Sequence, residues 1–376
     1  MKILITGGAG FIGTHLTRRL LTQGHSITIL DSFLPQVHGA RQELAADLQD
    51  NVRLVRGDVA DGAALERALS GAQCVIHLAA ETGTGQSMYE VARYGRTNLT
   101  GTVLLYDLLV RGAAKDLERM VVASSRAIYG EGAYRCDRDG VVYPNSRPAE
   151  DKEKLLFDPA CPVCGGECSS IATPEEAPLK PSSFYGLTKQ VQEQMALMFG
   201  QVLGVPSVAL RFQNVFGPGQ SLQNPYTGIL AIFSNLARQG KPIRIFEDGR
   251  ESRDFVYIDD VVAAVSACVS LPLSGVHALN VGSGRRTTVF EVASLINEFH
   301  GGDSEIRVTG QFREGDIRHG LADLAAASDV LQYRPQWSFG DGLRRFLEWA
   351  IESAPEASGY ERSLAEMRER GLLRGN

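Results

Sequence analysis

Tyr185 and Lys189 pair a phenol with an ammonium group four positions apart. On a helix this spacing places both side chains on one face. The ordinary pKa of tyrosine is near 10, so a phenolate base at pH 7 requires a shift of about three pKa units, or roughly 4 kcal/mol. A neighbouring positive charge supplies part of that stabilisation. The pair therefore indicates a tyrosine activated to remove a proton, although the same spacing also occurs by chance in many helices.

Three glycines near the start of the chain indicate how a cofactor would be held. Gly7, Gly10 and Gly13 follow a short apolar strand and lead into an amphipathic helix predicted over 14–22. A strand, a glycine turn and a helix form the dinucleotide-binding arrangement, with the phosphates at the helix N-terminus. Gly7 permits the tight turn, Gly10 lets the backbone approach a pyrophosphate, and Gly13 allows the helix to pack on the strand. The spacing Gly-x-x-Gly-x-x-Gly is one residue longer than the common motif. A purely structural turn is the alternative, because a tight strand-to-helix turn needs glycine in any case.

A carboxylate ends the second predicted strand, 26–31. Asp31 lies about twenty residues beyond the glycine turn, where an acidic residue accepts the hydroxyls of the adenosine ribose. Its charge repels a 2'-phosphate, so NAD is favoured over NADP. A surface aspartate in a turn is the alternative.

The elements that must position these residues alternate between strand and helix. Further strands are predicted at 52–58, 74–78, 119–124 and 207–212, with helical stretches between most of them. Such alternation predicts an α/β fold with a Rossmann-like, doubly wound parallel sheet. We expect an NAD-binding domain over 1–214, a smaller C-terminal substrate-binding domain over 215–355 and a tail over 356–376. Segments near 255–267 and 278–281 are expected to return to the first domain.

Several separate motifs occur in one order along the chain, and together they carry a family resemblance. They are Gly7–Gly13, Asp58, His77–Ala80, Ser124–Ser125, Ile128–Gly130, Tyr185–Lys189 and Arg211–Asn214. With these motifs the chain resembles the extended short-chain dehydrogenases/reductases, and within them the NAD-dependent epimerases and dehydratases of nucleotide sugars. The resemblance runs from Met1 to about Ala350.

The resemblance implies roles for residues that composition and spacing leave unassigned. It makes Ser125 the catalytic hydroxyl beside Tyr185 and Lys189. The residues that it implies for the cofactor, besides the three glycines, Asp31, Tyr185 and Lys189, are Phe11, Ile12, Asp58, Val59, Leu78, Ala79, Ala80 and Asn98. Those that it implies for the nucleotide sugar, besides Ser125, are Asn214, Arg253, Arg313 and Asp316. Two arginines suit a diphosphate because a guanidinium binds phosphate oxygens in pairs. Surface salt bridges are the alternative for both arginines.

The catalytic residues permit oxidation of a sugar alcohol, in which Tyr185 removes the hydroxyl proton while Ser125 holds the oxygen. The positions after Ser125 narrow the reaction. The family's dehydratases carry Asp-Glu there, whereas this chain has Arg126 and Ala127. A C4 epimerase needs no such acid and base pair, so we expect a nucleotide-sugar 4-epimerase that recycles its NAD. A UDP-hexose 4-epimerase, a net dehydrogenase or reductase and an NAD-sensing binding protein are the alternatives.

Three stretches resemble one group of the family more closely, the dTDP-L-rhamnose 4-epimerases, which form dTDP-6-deoxy-L-talose. They are Glu81–Met88, Gly217–Gly228 and a cysteine-containing insert. We expect the sugar to contact the loops 220–227 and 83–88. Ordinary loop packing is the alternative for any single residue in them.

The insert, about 131–175, lengthens the interval between Gly130 and Tyr185 and is polar and rich in proline. Cys161-Pro-Val-Cys164-Gly has the form of a zinc knuckle. A tetrahedral site needs four ligands, and Cys136, Cys161 and Cys164 with Cys168 supply them, Asp139 being the alternative fourth ligand. A structural zinc is the favoured interpretation, ahead of free or redox-active thiols and of a disulfide.

Composition sets limits on the partners and the compartment. The chain has 376 residues, 44% of them hydrophobic, and a net charge of −6, which is enough for a large core and unfavourable for nucleic acid or a membrane surface. Because no long apolar run or signal peptide is present and the cysteines are clustered, we expect a cytoplasmic protein. We expect a homodimer through the apolar helix faces at 103–110 and 191–202, which could equally be core. The tail, with its arginines and glutamates, is expected to be a solvated helix.

Overall fold

Seven parallel strands form the main sheet of the computed structural model, which describes residues 1–222, 224, 228–352 and 359–375. From edge to edge the strands are Val276–Val281, Ser207–Phe212, Arg119–Ser125, Cys74–His77, Lys2–Thr6, Ser26–Asp31 and Arg53–Arg56. The strand order reverses at Lys2–Thr6, since the chain first adds strands on one side of it and then on the other. Ligands of such sheets bind beyond the carboxyl ends of the strands at this reversal.

Helices cover both faces of the sheet, because successive side chains of a strand point to opposite faces. Ile3 and Ile5 belong to the core that includes the helices Phe11–Thr22 and Ile258–Ser270. Leu4 packs on the other face with the helices Gly62–Leu69, Gly101–Val110 and Phe184–Leu203. The predicted α/β, doubly wound parallel sheet is confirmed. Across the parts of the chain that the structure describes, no helix is both long and apolar enough to cross a membrane.

The smaller part of the molecule is built from short strand pairs and three longer helices. Asn214–Phe216 pairs with Ser252–Tyr257, which also pairs with Arg286–Thr288, and Ile243–Ile245 pairs with Ile306–Val308. Its longer helices are Ile229–Arg238, Val289–Phe299 and Phe339–Glu352. Shorter helical segments elsewhere are Pro35–His38, Ala46–Gln49, Thr84–Ser87, Val91–Tyr94, Gly95–Thr100, Arg126–Ile128, Ala149–Glu153 and Ala325–Leu331. The predicted division at 214 and 355 stays a prediction.

The insert forms a small antiparallel sheet of its own. Its central strand, Tyr134–Cys136, pairs with Gly140–Val142 and with Cys168–Ser170. Its buried apolar cluster contains only Tyr134, Cys136, Val142 and Cys161. Side chains from outside this cluster must therefore hold the insert in place.

The tail is not a solvated helix, and that prediction was wrong for its described residues. The helix Tyr360–Glu369 buries Tyr360, Leu364 and Met367 against the smaller part of the molecule, and the strand Leu373–Arg374 pairs with Phe312–Arg313. These three apolar residues recur at i, i+4 and i+7 and so form one stripe among the charges. The spacing of these residues indicates a buried helix face, which the charged composition of the tail does not show.

Candidate active site

A single continuous cavity opens at the carboxyl ends of the central strands, where the strand order reverses. It is lined by every residue predicted to bind the cofactor or the substrate except Asn98. The predicted residues in its wall are Gly7, Gly10, Phe11, Ile12, Gly13, Asp31, Asp58, Val59, Leu78, Ala79, Ala80, Ser125, Tyr185, Lys189, Asn214, Arg253, Arg313 and Asp316. Residues that are as much as 300 positions apart in sequence thus share one site.

The glycine turn leaves no room for side chains. Gly7 has φ of +70°, and a Cβ atom there would lie 2.9 Å from the backbone of Ala79. A Cβ on Gly13 would lie 2.5 Å from the Cα of Gly8. Gly10 precedes the helix Phe11–Thr22, whose N-terminus has no side-chain cap. The first turn of this helix therefore presents backbone N–H groups without an intrahelical partner, which fits the pyrophosphate of a dinucleotide.

Asp31 is fixed in place by the backbone around the turn. Its carboxylate accepts hydrogen bonds from the N–H groups of Ala9 and Phe33, each at 2.9 Å. His38 Nε2 lies 3.4 Å from the same carboxylate and also lines the cavity. An acidic group held beside the glycine turn fits the hydroxyls of an adenosine ribose. His38 was missed in the sequence because nothing in its spacing links it to Asp31.

Ser125 and Tyr185 both line the cavity. Ser125 ends the strand Arg119–Ser125, and its Oγ accepts a hydrogen bond from the N–H of Ala127 at 3.1 Å. Tyr185 lies in the first turn of the helix Phe184–Leu203. Loss of solvation at the buried phenol raises the pKa of Tyr185, while a hydrogen bond with Ser125 and the charge of Arg126 act in the opposite direction.

Lys189 contacts the strand Arg119–Ser125. Its Nζ donates to the carbonyl oxygen of Ala123 at 2.9 Å, and burial lowers the pKa of Lys189 to about 7. The positive charge that lowers the pKa of Tyr185 in this structure belongs to Arg126. The predicted activation of Tyr185 by Lys189 stays a prediction. Lys189 still lines the cavity one helical turn beyond Tyr185.

Arg126 is the main functional residue that the sequence argument undervalued. Its Nε donates to Asn214 Oδ1 at 2.9 Å, and its two terminal nitrogens have no partner among the described residues. Burial lowers the pKa of Arg126 to about 10, with the nearby charge of Arg253 acting in the same direction. The sequence shows only that the acid and base pair of dehydratases is missing. The structure shows that the guanidinium group of Arg126 lies in the cavity wall at this position.

Asn98 lies behind the cavity wall rather than in it. It is fully buried, its Oδ1 accepts from the N–H of Glu81 at 2.8 Å, and its Nδ2 donates to Thr188 Oγ1 at 2.9 Å. It thereby links the loop after His77–Ala80 to the catalytic helix, Phe184–Leu203. The predicted role of Asn98 toward the cofactor stays a prediction.

The segment 83–88 contributes to the site in two ways. Gly83–Gln86 line the cavity. Ser87 Oγ accepts the N–H of Tyr185 at 2.9 Å, and Met88 Sδ accepts the N–H of Phe184 at 3.4 Å. Both residues therefore fix the start of the catalytic helix. Of the loop 220–227, Gln220, Ser221 and Asn224 line the cavity, while residues 223 and 225–227 lie outside the described residues.

The cavity wall also contains Arg253, Arg313 and Asp316, the groups predicted to bind the diphosphate and ribose. Arg313 packs over the ring of Phe246 at 4.5 Å, and its Nε has no hydrogen-bond partner. Glu251 lines the same region, and burial raises the pKa of Glu251 to about 7. Tyr360 and Met367 of the tail complete the wall. None of the last three could be assigned from sequence, because each reaches the cavity only through the tertiary fold.

The sequence matches a known protein family over most of its length. The model of the NAD dependent epimerase/dehydratase family matches residues 3–152 and 149–282, which is most of the chain. The chain belongs to the NAD-dependent epimerase/dehydratase family. Its cavity residues lie at the carboxyl ends of the sheet strands, where this family of doubly wound folds binds its ligands.

Individual members of the epimerase/dehydratase family are similar over nearly the whole chain. The dTDP-L-rhamnose 4-epimerase of Burkholderia thailandensis is 39% identical over 353 residues, which cover 93% of this chain and 95% of that enzyme. MoeE5, solved with UDP-glucuronic acid and NAD, has a TM-score of 0.74 at 29% identity and covers 94% of this chain and 99% of its own. The UDP-glucose 4-epimerase of Thermotoga maritima, solved with UDP-glucose, has a TM-score of 0.74 at 28% identity over the same shares.

The cysteine insert of this epimerase/dehydratase lies apart from the cavity wall. The ligand atoms of Cys136, Asp139, Cys161 and Cys164 all lie within 4.8 Å of one another. Cys168 is not in this group, because its thiol donates to the carbonyl oxygen of Pro159 at 3.1 Å. The structure therefore replaces Cys168 by Asp139 among the predicted metal ligands. None of these residues lines the cavity.

Proposed function

We propose that the chain is an NAD-dependent nucleotide-sugar 4-epimerase. The observation that carries the proposal is that Ser125 and Tyr185 line one cavity, with Arg126 and Ala127 where a dehydratase has an acid and a base. Such a site can move a proton at one sugar hydroxyl. It lacks at these positions the second acid and base pair that elimination of water requires.

The chain's own residues handle the sugar oxygen. Tyr185 removes the proton from the C4 hydroxyl and later returns it, and Ser125 donates a hydrogen bond to the same oxygen while its charge changes. NAD supplies the hydride acceptor at C4 and the hydride donor for the opposite face. Since the hydride leaves and returns to the same carbon, the reaction has no net oxidation.

The nucleotide end must stay bound while the keto sugar turns. Arg253 and Arg313 lie in the cavity wall, and Asn214 accepts a hydrogen bond from Arg126. Two guanidinium groups suit the diphosphate, because each can bind a pair of phosphate oxygens. Anchoring through the diphosphate leaves the sugar free to present either face of C4.

For the substrate we propose dTDP-L-rhamnose, converted to dTDP-6-deoxy-L-talose. The support is the 39% identity to an enzyme of that name over nearly the whole chain. A UDP-hexose 4-epimerase is the second candidate, because the structural relatives include a UDP-glucose 4-epimerase. A net dehydrogenase or reductase differs from both in releasing its cofactor in the changed redox state.

A panel of dTDP- and UDP-sugars tests the function. The purified enzyme should interconvert the C4 epimers of at least one of them without net NADH formation. Tyr185→Phe should lower kcat by about 10²- to 10⁴-fold while nucleotide binding persists. Turnover that is unchanged in Tyr185→Phe, or stoichiometric NADH formation without an epimer, would contradict the proposal.

We also propose a homodimer in the cytoplasm. Val103, Val110, Met198 and Val202 are exposed apolar residues on the helices Gly101–Val110 and Phe184–Leu203. Such a shared apolar face favours association of two copies, and six free thiols favour a reducing compartment. Light scattering should give the dimer mass, and Val202→Glu should shift it to the monomer. A monomer at micromolar wild-type concentration would contradict the dimer.

The insert is assigned a structural role within this function. Its thiols do not line the cavity, and hydride transfer requires no metal. A zinc ion held by these thiols would therefore support the fold of the insert and take no part in the reaction.

A further inference from the structure

We propose that Cys136, Asp139, Cys161 and Cys164 bind one zinc ion, and that this ion fixes the insert against the loop that carries Asp316. The proposal concerns the fold and does not depend on which sugar the enzyme converts. It also replaces Cys168 by a carboxylate as the fourth ligand.

The spacing of the four donor atoms matches a tetrahedral site. Asp139 Oδ2 lies 3.1 Å from Cys161 Sγ and 3.4 Å from Cys136 Sγ, and Cys136 Sγ lies 3.6 Å from Cys164 Sγ. With zinc–sulfur distances of about 2.3 Å and a zinc–oxygen distance of about 2.1 Å, tetrahedral ligands lie about 3.6–3.8 Å apart. Small adjustments of the side chains therefore suffice to place an ion between them.

Two turns each supply two ligands. Cys136 and Asp139 flank the turn between the strands Tyr134–Cys136 and Gly140–Val142, and Gly140 has φ of +72°. Cys161 and Cys164 flank a second turn, which the N–H of Gly165 closes by donating to the carbonyl oxygen of Cys161 at 2.9 Å. Both pairs have the spacing of a ligand, two residues and a ligand. Paired turns of this kind are typical of structural zinc sites.

Cys168 has a different part in the insert. It lies opposite Cys136 in the antiparallel pairing of Tyr134–Cys136 with Cys168–Ser170. Its thiol is turned to the carbonyl oxygen of Pro159. The two cysteines are therefore neighbours in the sheet, but only Cys136 joins the four-atom group.

The ligand set selects the metal. Three thiolates favour a soft or borderline ion such as zinc over magnesium or calcium, which prefer oxygen ligands. A carboxylate as the fourth ligand is compatible with zinc. Binding releases the thiol protons, because the thiolate is the form that coordinates the ion.

The insert needs such an ion because its own core is too small. Two of the four residues of its buried cluster are the ligands Cys136 and Cys161 themselves. A structural zinc ion supplies folding free energy that a polar segment of this size lacks. Without the ion, the side chains that join the two turns are linked only by the weak contacts of Asp139 with Cys161 and of Cys136 with Cys164.

Buried ion pairs connect the insert to the substrate loop. Arg147 pairs with Glu131 and with Glu247, each at 2.9 Å, and donates to the backbone oxygen of Asp316 at 2.9 Å. Glu131 in turn accepts the backbone N–H of Arg318 at 2.8 Å. Because Glu131 and Arg147 flank the strands that carry Cys136 and Asp139, order in these strands is transmitted to residues 316–318.

Metal content and ligand counting test the site directly. Full-length protein purified without added metal should contain about one zinc per chain, and X-ray absorption should show three sulfur neighbours and one oxygen neighbour. Asp139→Cys should keep the zinc and raise the sulfur count to four. Cys168→Ser, the matched control, should keep both the zinc and the count of three sulfurs.

Hydrogen exchange tests the link to the substrate loop. Removal of zinc by a chelator should speed amide exchange in peptides covering 131–175 and 313–321, while peptides of the glycine turn, 1–25, keep their rate. Protein without near-stoichiometric zinc, or loss of zinc in Cys168→Ser, would overturn the metal site. Unchanged exchange at 313–321 after zinc removal would overturn the link. All these measurements are independent of activity, so they stand whether or not the proposed epimerase reaction is found.

Discussion

Tyr185 stands between two opposing influences. Burial raises the pKa of its phenol, whereas the hydrogen bond with Ser125 and the charge of Arg126 lower it. Arg126 is therefore placed to favour the deprotonated form that removes a proton from the sugar. Lys189 is held instead by the carbonyl oxygen of Ala123.

Replacement of Arg126 tests this electrostatic role. In Arg126→Met the pKa of Tyr185 should rise, because an opposing positive charge is lost, and the acidic limb of the pH profile of kcat/KM should move to higher pH by about one unit. Arg126→Lys is the matched variant that keeps the charge and should leave the limb near its wild-type position. The same limb in Met and wild-type enzymes would show that Arg126 does not act on Tyr185.

The sequence predicts which residues line the site better than it predicts the contacts that each of them makes. Tyr185, Ser125 and the glycines lie in the cavity as their motifs indicate, because the backbone of each motif determines its own local geometry. The contacts of Asn98 and Arg126 are not predicted, since they involve Thr188 and Asn214, which lie about 90 residues away. No local pattern records such contacts.

The catalytic helix, Phe184–Leu203, is positioned mainly at its first turn. Ser183 caps it by accepting the N–H of Gly186 at 3.1 Å, and Ser87 and Met88 bind the N–H groups of Tyr185 and Phe184. These contacts satisfy backbone groups that have no partner within the helix. The start of the helix, and with it Tyr185, is therefore fixed from two segments of the chain.

Loss of the cap should weaken the whole fold measurably. Ser183→Ala should lower the free energy of unfolding by about 1 kcal/mol, the usual cost of losing an N-cap serine. Ser294→Ala is a suitable control, because the Ser294 hydroxyl is exposed and bonds only the carbonyl oxygen of Phe290 within its own helix. Urea unfolding of the three proteins measures the difference. Equal losses in both variants would contradict a specific capping role.

Strands and helices with strong local patterns were predictable, and the sheet at 2–6, 26–31 and 207–212 follows apolar runs in the sequence. The packing of the tail was not. The helix of the tail was expected from its residues. The places of Tyr360 and Met367 in the cavity wall were not, because they depend on tertiary packing against distant residues.

Across the whole molecule, a buried network of charges joins the insert to the substrate-binding part. Arg147 and Arg318 are almost fully buried, and both contact Glu247. Arg318 also pairs with Asp248 at 2.6 Å and with Asp158 of the insert at 2.7 Å. Charges that are buried at this depth require partners, so the network fixes the relative arrangement of the segments that it joins. The sequence gives no sign of it, because its members are spread over nearly 190 positions.

Breaking the network should be costly. Arg147→Met should lower the free energy of unfolding by about 3–5 kcal/mol, because Glu131 and Glu247 lose a buried partner. Arg307→Ala removes an exposed ion pair with Glu305 and should cost less than about 1 kcal/mol. Denaturant unfolding compares the two. A loss in Arg147→Met no larger than in Arg307→Ala would contradict a structural role for the network.

The central claim is that hydride leaves C4 of a nucleotide sugar and returns to the same carbon. The most direct measurement uses dTDP-L-rhamnose labelled with deuterium at C4, incubated in ordinary water with the purified enzyme and no reductant. The epimer formed should keep its deuterium at C4, and no NADH should accumulate. Loss of the label to solvent, or release of labelled NADH in proportion to product, would contradict this claim.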